Sequence, residues 1–176
     1  MSKNLHYFWD GCLLVVVSVA FLIQLILNCQ SGNTMFGVVS ALVPLVITIV
    51  IAVFDFHNSN ITRFVSALPC FMMIYSGLIN AINARELFVL ATLSFQLALP
   101  IATAILLLLL YRKPSSSLRI ATVVLLSILL LWSAAGVLLF FFVQKQQNTL
   151  ATSYIWSICL SIAFLFALIK VGYDFK

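Results

Sequence analysis

Apolar residues fill six long runs along the chain, and polar residues collect in the short gaps between them. The runs are roughly Phe8–Leu27, Met35–Phe54, Phe64–Ala81, Leu87–Tyr111, Leu118–Val143 and Leu150–Val171. Each is near the about 20 residues that an α-helix needs to cross the hydrocarbon core of a bilayer. The gaps, "NCQSGNT", "DFHNSNITR", "INARE", "RKPSSS" and "QKQQNT", are turn-rich, charged or polar. This pattern predicts an all-α, polytopic membrane protein. It forms a single domain over residues 1–176, a bundle of six transmembrane helices. Connections this short make consecutive helices antiparallel neighbours.

Inside the runs the polar residues are not scattered. The fourth run contains "SFQLALPIATA", in which an amide and a helix-breaking residue interrupt an apolar stretch. On a helix of 3.6 residues per turn, Thr92, Gln96, Pro100 and Thr103 share one face. Pro100 has no amide hydrogen, so the carbonyl of Gln96 loses its helical partner. An unsatisfied group in hydrocarbon costs several kcal/mol, so this face should point into the bundle. Related stripes are Ser76/Asn80/Asn83, Ser40/Pro44/Thr48, Gln24/Asn28 and Ser153/Ser157/Ser161. Gln24, Asn28, Asn80, Asn83 and Gln96 all fall in the same half of the bundle. Together with Pro100 they are the candidate residues for an uncharged, outward-facing ligand pocket. The competing reading is packing. Ser, Thr, Asn and Gln also join membrane helices, at about 0.6 to 2 kcal/mol each. Small residues such as Ser40, Ala41, Gly77, Ala134, Ala135 and Gly136 permit close approach.

Composition agrees with the bilayer as solvent. The chain is 64% hydrophobic and 7% charged, too little polar surface for a water-facing globule. Charge then sets the orientation. Lys3, Arg63, Arg112, Lys113, Arg119, Lys170 and Lys176 fall on one side, and only Arg85 and Lys145 on the other. By the positive-inside rule both termini are cytoplasmic. The compactness and small loops point to a bacterial plasma membrane. The net charge of +5 is spread over loops and termini without a basic cluster, which argues against nucleic acid as a partner. The start resembles a signal peptide, but "LILNCQSGN" offers no good cleavage site, so the first run is read as an uncleaved helix. The sequon "NIT" at 60–62 falls on the cytoplasmic side and would be idle. Aromatics at run ends, Tyr7, Phe8, Trp9, Tyr111, Tyr173 and Phe175, fit interfacial belts, whereas Trp132 and Trp156 are expected to pack between helices.

Chemistry-bearing groups are sparse. Cys12, Cys29, Cys70 and Cys159 lie in different runs, form no CxxC and behave as small hydrophobes. No metal or other cofactor is expected. His57 beside Asp55 has no further ligands, and no nucleophile elbow, HExxH or nucleotide loop occurs, so no enzyme is indicated. Asp10, Asp55, Glu86 and Asp174 sit near run ends; Arg85–Glu86 and Asp55–Arg63 are expected interfacial pairs of small energetic weight. A self-contained ion-driven carrier normally needs an ionisable group at mid-membrane. Internal repetition is faint: "FLIQLILN" and "SFQLALP" share a short core. The expected role is a small membrane component of a transport system. It would bind a largely neutral solute and rely on another membrane subunit, such as an ATP-driven partner, for energy. The alternative is a non-transporting accessory, assembly or immunity-type subunit whose polar stripes are packing surfaces. A third reading, lipid handling, would use Arg112, Lys113 and Arg119 on headgroups.

Overall fold

A computed structural model describes residues 3–30, 35–57, 62–83, 87–143 and 150–175. All six runs form helices: α1 (Lys3–Gln30), α2 (Met35–His57), α3 (Thr62–Asn83), α4 (Leu87–Arg112), α5 (Ser116–Val143) and α6 (Leu150–Asp174). Among the described residues, three stretches are long and apolar enough to cross a membrane: Phe8–Ile26, Ser116–Leu138 and Tyr154–Asp174. Shorter apolar stretches lie in α2, α3 and α4, at Ala41–Ile51, Phe64–Leu78 and Gln96–Arg112. The chain is a helical membrane protein.

Local chemistry explains the α4–α5 turn. Pro114 cannot continue α4, whose last backbone bond runs from Lys113 N to the Leu109 carbonyl. Ser115 then caps α5, its Oγ accepting from Leu118 N at 3.2 Å, while its carbonyl takes the first helical bond from Arg119 N.

Helices α1, α3, α4, α5 and α6 form a closed ring in which each packs on the next, with α3 also touching α6 across it. The core is the apolar interior of that ring, including Leu13, Val17, Met72, Leu107, Leu126, Leu129 and Phe164. Helix α2 stands outside. It packs along α1 through one stripe, where Ala41 and Thr48 are buried and Leu45 is half-buried, and barely meets α3. Neighbours in sequence are therefore neighbours in space except for α2 and α3. The surfaces of α3 are taken up by α1, α4 and α6, so α2 is left on the rim.

Close approach is visible at two small residues. A Cβ on Gly77 of α3 would lie 2.8 Å from Leu97 Cδ2 of α4. Gly136 of α5 faces Ser157 of α6, with Ser157 Oγ 3.7 Å from where its Cβ would be. Ala41 is fully buried, Ala134 is half-buried and Ala135 is exposed. Trp132 departs from its expected place between helices. It is 44% exposed, on the outward stripe of α5 that carries Val124, Ile128 and Leu131. Trp156 does pack between helices, edge-on to Phe21 of α1.

Gly77→Leu should destabilise the bundle by about 1–3 kcal/mol, because the added side chain must displace α4. Gly77→Ala should cost much less, since Leu97 Cδ2 is the free end of a rotatable chain. Thermal unfolding in mild detergent checks this. An unchanged Tm for Gly77→Leu would mean that α3 and α4 do not meet at this point.

Candidate functional site

The starts of α1 and α3 and the ends of α4 and α6 share one end of the bundle, where a polar network joins four helices. Lys170 of α6 forms a salt bridge with Asp10 Oδ1 of α1, and their side chains are 0% and 1% exposed. Beside it, the Tyr111 hydroxyl of α4 donates to Asp174 Oδ2 at 2.6 Å. Ser66 of α3 lies 2.9 Å from the Tyr111 oxygen. A phenol has one proton, here given to Asp174, so Ser66 is the donor of that second bond. Lys170 Nζ sits 5.9 Å from the centre of the Tyr111 ring, a cation–π contact that links the two halves of the network.

Aromatic rings enclose this network. Trp9 packs on Phe166 at 5.8 Å and stacks on Tyr173 at 6.1 Å, and Phe175 meets Tyr111 edge-on at 5.1 Å. The indole Nε1 of Trp9 is buried with no hydrogen-bond partner among the described residues. By sequence position Lys170 belongs with the loop and terminal charges and Tyr111 with an interfacial belt. The structure turns both inward. Asp10 lies two residues inside the first apolar run and Lys170 one residue inside the last, and that inset is the signal that could have found them.

Elsewhere the polar stripes divide into two kinds. Most hydroxyls satisfy themselves on their own helix. Thr48, Thr103, Thr122 and Ser127 donate to the carbonyls four residues back, Pro44, Leu99, Leu118 and Val123, at 2.7–2.8 Å. Ser161 reaches the Ser157 carbonyl at 2.8 Å and Ser133 Oγ of α5 at 3.0 Å, while Ser133 reaches the Leu130 carbonyl at 2.9 Å. Two protons serve those three contacts, so the Ser161 hydroxyl shares its one proton between the Ser157 carbonyl and Ser133 Oγ. Ser157 and Ser161 thus belong to the α5–α6 packing surface.

The amides are the second kind. Gln96 is half-buried, on the same face as buried Pro100 and Thr103, so that face is turned inward as its polarity requires. Gln24 is half-buried on α1. Among the described residues neither side chain has a hydrogen-bond partner. Helices α1 and α4 do not touch directly there; α3 stands between them. The side chains of Asn28, Asn80 and Asn83 lie outside the described residues, as do those of Thr92, Ser153, Asp55, His57 and Arg63, and Arg85 and Glu86 entirely. No group of three metal-ligating residues occurs among the described ones, and all four cysteines are free thiols, Cys70 buried and Cys29 exposed.

Removing one member of the buried pair strands the other charge in an apolar interior. Asp10→Leu or Lys170→Met alone should destabilise by about 3–5 kcal/mol, whereas the double substitution should recover most of that loss. Tyr111→Phe should cost only about 1 kcal/mol. Chemical unfolding of the four proteins measures the coupling; additive single losses would show that Asp10 and Lys170 do not interact. No protein-family model, curated protein or solved structure matches this chain, so its functional reading rests on this geometry.

Proposed function

We propose that this chain is a six-span membrane component with both termini in the cytoplasm. It binds a small, largely neutral solute in an outward-facing polar pocket and depends on a partner subunit for energy. The observation that carries the reading is the contrast between hydroxyls and amides. Hydroxyls back-bond to their helices, but Gln24 and Gln96 stand half-buried without a protein partner among the described residues. An amide in that setting needs a solute, water or another protein.

Helix length supports six spans. α2, α3 and α4 have 23, 22 and 26 residues, each enough to cross with some tilt. Lys170 no longer counts toward orientation, because Asp10 neutralises it, yet six basic residues still face two. Arg112 and Lys113 are exposed at the same end as the ion pair, as an inner face requires. The short connections suit a bacterial plasma membrane. Energy from a partner follows from the sequence, which has no nucleotide loop, and from the two intramembrane charges being engaged with each other.

One observation favours an accessory or assembly subunit instead. Helix α2 exposes Leu42, Val43, Val46, Ile47, Ile49 and Val50 and joins the bundle along a single stripe, which leaves it open to lipid or to another subunit.

Two measurements test this. A single cysteine at position 32 or 146 in a cysteine-free background should react with a membrane-impermeant maleimide on intact cells, and one at 115 only after permeabilisation. The reverse pattern would invert the topology. Gentle purification with mass spectrometry should find a small molecule, or an ATP-hydrolysing partner, that is retained. Gln96→Leu should remove at least about ninety per cent of the retained solute, the loss expected when one hydrogen bond is deleted from a dry site. Retention of neither a solute nor an energy-supplying partner would sink the transport reading.

A further inference from the structure

Asp10 and Lys170 face each other, and this fixes the register of the whole α1–α6 seam. Fourteen residues toward the other end lie Gln24 on α1 and Trp156 on α6. At 1.5 Å per residue both stand about 21 Å from the ion pair. Fourteen residues are also nearly four whole turns, which leaves each within about 40° of the direction taken by its charged counterpart. Gln24 and Trp156 are therefore at one level and directed toward one seam. The helices still touch there. Phe21, one turn below Gln24, meets Trp156 edge-on at 5.2 Å and Tyr75 of α3 edge-on at 5.7 Å.

Two polar groups at this level lack protein partners among the described residues. One is Trp156 Nε1, which is buried. The other is the half-buried Gln24 amide. An indole nitrogen only donates, so it calls for an acceptor; an amide both donates and accepts. The surrounding surface is aromatic, which favours a flat apolar body placed edge-on or offset. The nearest described charges are those of the ion pair, about 21 Å away, so among the described residues nothing here compensates a charged ligand.

We propose that this level of the α1–α6 seam is a binding site for a small, uncharged, flat molecule that presents a carbonyl or ring-nitrogen acceptor to Trp156 Nε1. Its apolar body lies against the Phe21 and Trp156 rings, and its remaining polar edge pairs with Gln24. The inference rests on the reading that this chain binds a solute and goes beyond it in naming a ligand's chemistry and seating it between α1 and α6, a place distinct from the Gln96 face of α4.

The test uses the full chain in nanodiscs with ¹⁵N-labelled tryptophan. Three tryptophans give three indole signals, and Trp156→Phe identifies the one of interest. The probes are benzamide, which has ring and acceptor, cumene, which lacks the acceptor, and isobutyramide, which lacks the ring. Benzamide should shift the Trp156 indole proton downfield in a saturable way, and the other two should not. Gln24→Leu should weaken benzamide about tenfold, as should Trp156→Phe, which keeps a ring against Phe21 and removes the donor. The remaining indole signals report that each variant is folded. Three results overturn the site. If a solute is retained and lost in Gln96→Leu while the Trp156 signal never moves, solute binding stands and the seam site falls. If no probe and no solute binds, both fall. If the Trp156 proton is already hydrogen-bonded without ligand, and Gln24→Leu releases it, the two residues are a structural pair.

Discussion

Asp10 and Lys170 are 160 residues apart, and their salt bridge joins the first helix of the chain to the last. Short connections already bring α3 to α4, α4 to α5 and α5 to α6. Nothing in the connections brings α6 back to α1. Apolar packing alone specifies that closure poorly, because in a bilayer the competing surface is lipid, which is as apolar as leucine. A charge pair discriminates where packing does not. Each ion is costly to bury alone, so α1 and α6 are held in the one register where the two charges meet. The Ser66–Tyr111–Asp174 bonds extend the tie to α3 and α4 at the same level. The register of four helices is thus anchored at one end.

Much of the architecture was legible in the sequence, for a physical reason. Membrane helices must be about as long as the bilayer is thick, so run length and gap composition place the elements directly. The six helices fall within a few residues of the six apolar runs, and the "RKPSSS" gap behaves as its proline and serines demand. Non-sequential contacts were not legible, since no local pattern states that α1 meets α6 or that α2 is left on the rim. Lys170 and Tyr111 turn inward, although their positions near run ends point to the interface. Whether such a residue snorkels to water or turns inward depends on what faces it, and Asp10 and Ser66 come from distant helices. Trp132 failed for the complementary reason: an aromatic deep in a run fits lipid as well as a helix interface.

The candidate site was legible only in part. The prediction that Gln96, Pro100 and Thr103 share an inward face follows from helical periodicity and the cost of polarity in hydrocarbon, and the structure agrees. The stripes of hydroxyls are another matter. Serine and threonine have a short hydroxyl that reaches the carbonyl one turn back, so they can sit in a membrane helix without any outside partner. Thr48, Thr103, Thr122 and Ser127 all do so. Counting such residues therefore says little about ligands. A glutamine amide has two donor hydrogens and two acceptor lone pairs, more than its own helix can satisfy. Amides and the indole N–H are the informative groups, and in this chain Gln24, Gln96, Trp9 and Trp156 are left open among the described residues.

The two ends of the bundle then have opposite characters. One end is closed by an ion pair, a phenol–carboxylate bond and a ring of aromatics. About 21 Å away the Gln24 amide and Trp156 Nε1 lack protein partners among the described residues. A solute that entered at the open level would meet sealed protein on its way to the other side. Passing it requires α1 to part from α6 and expose Asp10 and Lys170 singly to the apolar interior, at about 3–5 kcal/mol for an uncompensated partner. A small neutral solute gains little by crossing and makes no charged contact that would replace the broken pair. On the proposed reading, the work of opening must come from outside this chain, by a partner that stabilises the parted state. The seal that makes the fold specific is then also what makes a transport role depend on an energy-supplying subunit.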